Sequence, residues 1–268
     1  VSHLIESTLR GFAKALSKAF AAEQTASKSG LLQAFDPRAR IISVVLLVVA
    51  VTLCRRLDAL AAFFALAVSI ASASRVGFWT LAKRVWLVVF GFTGLIALPA
   101  IFITPGNAVA NAGPLSITAQ GLRTAALLIL RVETAVTLTT SLVLSTHWVQ
   151  ILRGLRSLWV PAEIVTMLAM THRYIFLLIE TATQMFESRQ SRMVGALSGS
   201  DQRRMATRTA GVLLGKSADL SYDVYLAMQS RGFAGDIRLL DSPRMKSLDF
   251  SAIIISVVIA ISAVWLGR

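Results

Sequence analysis

Cysteine is almost missing from this chain of 268 residues, with Cys54 the single example. That excludes an intramolecular disulfide and any zinc site built on cysteines. Histidine is scarce as well, and His3, His147 and His172 lack metal-ligand spacing, so no metal or other cofactor is expected on this chain. Acidic residues number 14 against 27 Lys and Arg, and charged residues make up only 15% of the whole. No nucleophile–base pair is evident, which leaves an enzyme without support. A net charge of +13 would suggest nucleic acid in a soluble protein. The interleaved aromatic and basic residues of single-strand binders are missing, however, so no nucleic-acid partner is expected.

What fills the chain is apolar. Hydrophobic residues make up 55% and the mean hydropathy is +0.68, values of a polytopic membrane protein whose basic residues gather in cytoplasmic loops. Residues 1–35 read as an amphipathic segment, with Leu4, Leu9, Phe12, Leu16 and Phe20 at helical spacing. Arg10, Lys14 and Lys18 fall elsewhere, and no unbroken apolar core marks a signal peptide. "FDPRAR" opens the first membrane helix: Asp36 suits an N-cap, Pro37 the first helical position, and Arg38 and Arg40 mark a cytoplasmic edge. Apolar runs follow at 41–54, 60–73, 86–104 (with Pro99 as a kink) and 117–145, and a last one at 250–266.

The pattern predicts an all-α membrane protein with about five transmembrane helices plus a cytoplasmic helical coupling module. A sixth span results if 162–183 also crosses. The expected division is 1–35 amphipathic, 36–145 helices one to four, 146–246 the module, and 247–268 the last span. The charged 75–84 loop and the module then lie inside with the N-terminus, and the uncharged 105–116 link outside. Arg55 and Arg56 break the rule, softened by snorkelling and by Asp58.

Three helices are predicted in the module: "HWVQILRGLRSLW", one from Pro161 to about Arg192, and one from about Asp201 to Arg231 with Leu213, Leu220, Val224 and Ala227 on one stripe. The second and third both end in Gln-Ser-Arg, at 190–192 and 229–231. Arginine favours the negative pole of a helix and offers a flat fork of donors to a carboxylate. Gly232 suits the left-handed residue that closes a helix. Ordinary capping explains one such end; two arms presenting the same probe suit an acidic, two-lobed or dimeric partner.

With "DPRAR", "LLILRVETAV", "THRYIFLLIE" and "AMQSRGF" spread over most of residues 30 to 240, the chain resembles the transmembrane T component of energy-coupling-factor (ECF) transporters, the EcfT/CbiQ family, nearest its cobalt/nickel branch. The resemblance implies a non-catalytic subunit of the cell (inner) membrane. Its implied partners are two ABC-type ATPase subunits and a substrate-binding S component in the lipid bilayer. Two x-Arg-x motifs of that family dock into the ATPases. Carried over, they are Ser191-Arg192-Met193 and Ser230-Arg231-Gly232, the first departing from the family form with Met193 in the glycine position.

Other features compete for attention. "AGVLLGKS" at 210–217 fits a loose phosphate-loop pattern, but it sits in a predicted helix with no strand before it. Arg131 and Glu133 stand inside the fourth span, with Arg123 near its start, and Arg173 interrupts another apolar run. Such charges are read as a structural ion pair or a contact with the module, Arg173 holding a membrane–cytoplasm junction; a self-sufficient secondary transporter using Arg131 and Glu133 is the alternative. Gly91 with Gly94, and Ala61 with Ala65, read as helix-packing contacts.

Overall fold

The side chain of Asp36 accepts the backbone N–H of Arg38, and Pro37, with no N–H to leave unpaired, opens helix α1 (Pro37–Leu53). In the computed structural model of the chain the described residues are 11, 30, 32–74, 85–104, 108–112, 115–192, 198–233 and 246–266. The amphipathic reading of 1–35, the basic loop 75–84 and Met193 therefore fall wholly or mostly outside them.

Helix α2 (Leu57–Ala73) starts three residues beyond α1, with an exposed Arg56–Asp58 ion pair at 3.6 Å. Helix α3 (Leu87–Ile103) contains Pro99. The uncharged link after it is more ordered than a plain loop, for strands β1 (Ala108–Ala112) and β2 (Leu115–Thr118) pair antiparallel. Pairing satisfies backbone groups where few polar side chains are available to do so. Thr118 caps α4 (Ala119–Ser145) by accepting the N–H of Gly121. Then come α5 (Trp148–Ser157), α6 (Ala162–Ser191), α7 (Gly199–Ser230) and α8 (Ser247–Leu266). Ser198 starts α7 by accepting the N–H of Asp201 and donating to its carboxylate.

Apart from the short hairpin, then, the described chain is helical. Helices α4 and α6 are long and apolar enough to cross a membrane, and α2, α3 and α8 are shorter apolar helices. This is a helical membrane protein.

The chain divides into two compact units, one holding 23–154 and 243–268 and the other 155–242. In the first, α4 packs against α1, α2 and α3, while α8 packs on α1. Val44, Leu47 and Val51 of α1, Leu60 and Phe63 of α2, and Leu138 of α4 form the core. Buried Thr134, Thr137, Ser141 and Ser145 give α4 a face of small hydroxyls, each donating to a carbonyl of its own helix. Small, internally satisfied side chains let helices approach closely in an apolar medium. Gly121 takes this furthest: a Cβ there would stand 2.6 Å from the Ile101 carbonyl oxygen.

Arg40, read from the sequence only as marking an edge, also ties the fold together. It is 4% exposed, and its five donors are all used. Nε and Nη2 donate to the Phe35 carbonyl, Nη2 also to Gln33, and Nη1 to the Ser145 carbonyl and the Thr146 hydroxyl. The last carbonyls of α4 need donors, and a cation is favoured at that pole. Asp249, buried at the start of α8, accepts the Asp36 N–H at 2.7 Å and the Lys246 N–H at 2.7 Å. One polar knot thus ties together the turn before α1, the end of α4 and the beginning of α8.

In the second unit α6 packs on α7. Between them lies a cleft of about 570 Å³ lined by Met167, Met170, Tyr174, Leu220, Val224 and Met228. The phosphate-loop look-alike, 210–217, is interior to α7, where intrahelical bonds occupy the backbone amides a phosphate would need.

Candidate functional site

The two Gln-Ser-Arg copies end α6 and α7, the two longest helices of the described chain. In α6 the Ser191 hydroxyl donates to the Ser188 carbonyl at 3.0 Å, and the Arg192 N–H to Arg189 at 3.2 Å. In α7 the Ser230 hydroxyl donates to the Ala227 carbonyl at 3.0 Å, and the Arg231 N–H to Met228 at 3.1 Å. The agreement explains the serines, which the sequence alone did not. Each satisfies an orphan carbonyl of a last turn from one residue inside the arginine.

Beyond Arg231 the α7 end is fully built. Gly232 has φ +77°, its N–H bonds to Gln229 at 2.9 Å, and the N–H of Phe233 reaches back to Met228 at 3.0 Å. Those two bonds with a left-handed glycine form a Schellman closure. The side chains of Arg192 and Arg231 are exposed, and among the described residues neither guanidinium has a hydrogen-bond or ion-pair partner. Each is a free fork at the negative end of a helix, able to take a carboxylate.

The intramembrane charges are not arranged as one pair. Arg131 Nη2 donates to the carbonyl of Cys54, the residue closing α1, at 2.7 Å. Glu133, 6% exposed, has no hydrogen-bond partner for either carboxylate oxygen. Residues two apart on a helix project in widely different directions, so each meets different neighbours. Arg173 is exposed on α6, its guanidinium 5.6 Å from the Tyr174 ring centroid. The small-residue pairs are exposed or half-buried among the described residues. A Cβ at Gly91 or Gly94 would meet nothing within 4 Å, and Ala61 and Ala65 are exposed. They lie off the surfaces that α2 and α3 turn toward α4. Among the described residues no three His, Cys, Asp or Glu side chains converge on a possible metal position.

A family model described as cobalt transport protein, CbiQ, matches residues 28–241. The chain belongs to the CbiQ family. An uncharacterized protein of Methanocaldococcus jannaschii is 31% identical over 270 residues, covering 99% of this chain and 92% of the relative. The cobalt transport protein CbiQ of Rhodobacter capsulatus is 29% identical over 158 residues, 56% of this chain and 63% of its own length. The energy-coupling factor transporter transmembrane protein EcfT of Listeria innocua is 26% identical over 218 residues, 76% of this chain and 81% of its own. Both arginine-ended helices fall within the stretch matched to the CbiQ family. As a relative of CbiQ and EcfT, the chain is a transmembrane component of a transporter.

Proposed function

We propose that this chain is the energy-coupling T subunit of an ECF-type importer, its cargo cobalt or, next, nickel ions. The names of its CbiQ and EcfT relatives support the transporter class and cobalt. The matched ends of α6 and α7 carry the coupling role, because each sets an exposed arginine at a helix terminus whose last turn is bonded by a serine hydroxyl.

In this reading Arg192 and Arg231 dock into acidic grooves on two ABC-type ATPase subunits, in the cytoplasm next to the cell membrane. ATP is bound and hydrolysed by those subunits, and this chain passes their movement to a substrate-binding S component. Residues 146–246 are the coupling module. Arg131 fastens α4 to the end of α1 and so keeps the membrane part together, while Arg173 marks the level at which α6 meets the interface.

Arg192→Glu and Arg231→Glu each reverse one charge at an exposed site. Tagged chains carrying them should insert normally yet lose co-purifying ATPase subunits and metal-ion uptake. Full ATPase binding together with full uptake in both variants would end the proposal.

A further inference from the structure

Glu133 lines a second cavity, of about 480 Å³, whose other walls are Phe64 of α2, Trp86, Leu87 and Phe90 at α3, and Ile129 and Leu130 of α4. Trp86 fixes the shape: its ring lies 5.6 Å from that of Phe64 and its indole N–H donates to the Thr137 hydroxyl at 3.0 Å. The walls are otherwise apolar, and the carboxyl at the base has no partner. A polar group buried without a hydrogen bond costs several kcal/mol in an apolar medium, so the cavity is complete only with a donor in it.

The occupant follows by elimination. A divalent cation needs several oxygen ligands, and Glu133 is the only carboxylate among the described residues lining the cavity. Lipid tails fill apolar space but donate nothing. Lipid amines lie too far off, since Glu133 stands near the middle of α4, about 20 Å from either end at ~1.5 Å per residue. Arg131, two residues away on α4, projects in a different direction, with its Nη2 bonded to the Cys54 carbonyl. Among the described residues no donor reaches the carboxylate; one carried to mid-membrane on another helix would, and the surroundings suit one. Gly91 and Gly94 continue the Leu87–Phe90 wall, with open space where their side chains would be. Exposed Ala61 and Ala65 flank Phe64. Small residues on both walls let a further helix backbone come close.

We propose that the α2–α3 groove over Glu133 receives a transmembrane helix of a different membrane subunit, which places a Lys or Arg side chain on the Glu133 carboxylate. The proposal rests on the transporter reading only in requiring a membrane partner; it makes no use of Arg192 or Arg231.

The test is site-specific photo-crosslinking in the full chain, expressed in membranes with its transporter subunits. p-Benzoylphenylalanine replaces Phe90 in the groove or, as control, Ile255, which is 57% exposed on α8. The expected product at 90 is an adduct to an apolar, membrane-spanning peptide of another protein that contains Lys or Arg. Its yield should fall about ten-fold in Glu133→Gln and in Glu133→Leu, as loss of a charge-assisted bond implies. In detergent, chains expressed alone should melt no lower for Glu133→Leu than for the parent, which separates loss of the partner from loss of the fold. Lipid adducts alone, adducts to a second copy, or a yield unchanged in both variants would overturn the groove. ATPase subunits in the same preparation report on the coupling proposal independently. Their presence with lipid adducts alone sinks only the groove, whereas their absence beside a Glu133-dependent adduct sinks only the coupling reading.

Discussion

Arg40 and Ser145 are 105 residues apart in sequence, yet the guanidinium of one donates to the backbone carbonyl of the other at 3.1 Å. The bond closes the end of α4 with a side chain from the beginning of α1. Replacing Arg40 by Lys keeps the charge but offers three donors on a point ammonium instead of a five-donor fork. Of the four acceptors Arg40 serves, the Gln33, Phe35 and Ser145 carbonyls and the Thr146 hydroxyl, at least one would then lose its donor. Arg40→Lys should lower stability by about 2–4 kcal/mol, read as a drop in thermal midpoint of the detergent-solubilised chain.

Asp249 gives a milder version of the same test. Its two oxygens accept two different backbone N–H groups, and Asn supplies one acceptor in place of two. Asp249→Asn should cost about 1–3 kcal/mol in the same melt, with no measurable loss counting against the knot as a unit.

Glycine to alanine should act with opposite signs along α7. Gly211 and Gly215 are inside the helix, and a Cβ at either meets nothing within 4 Å, so Ala should stabilise by about 0.5–1 kcal/mol. Gly232, at φ +77°, should lose about 1 kcal/mol on the same change. Thermal melts of the three single variants supply the comparison. Gly232→Ala should also weaken ATPase co-purification by disturbing the closure beside Arg231.

Trp159 is the converse case. It has φ +67° and is 96% exposed, so a bulky side chain occupies a backbone conformation that suits glycine while gaining almost nothing from burial. Trp159→Gly should therefore raise stability by about 1 kcal/mol, and Trp159→Ala should not. Equal melts for the two would mean that the left-handed backbone stores no strain.

How much of this was legible in the sequence depended on distance along the chain. Asp36 and Pro37 announced α1, and Gly232 announced the end of α7, because capping is decided within a few residues. The helical setting of 210–217 was legible for the same reason. The clamping role of Arg40 was not legible because three of its acceptors are backbone carbonyls, which look the same in every sequence, and one belongs to the far end of α4. That Arg131 and Glu133, two apart on one helix, do not neutralise each other was legible from their spacing. Their separate surroundings, Cys54 for one and the α2–α3 cavity for the other, depend on how helices pack. Gly91 and Gly94 were read correctly as small but not as facing open space, since periodicity identifies a stripe without saying what lies opposite it.

The clamp on Ser145 and Thr146 has a consequence for chain length. Only Thr146 and His147 separate α4 from α5, and Arg40 holds the first of them by its hydroxyl. Thr146 has an extended backbone, and each extended residue spans about 3.3 Å. Adding or deleting one residue in this joint would displace α5 by about that length while the Arg40 bonds stayed in place. Leu152 and Gly154, now buried, would swing away from their contacts, Gly154 from Ile41 among them. The joint therefore acts as an indexing pin: the number of residues between Ser145 and Trp148 is fixed.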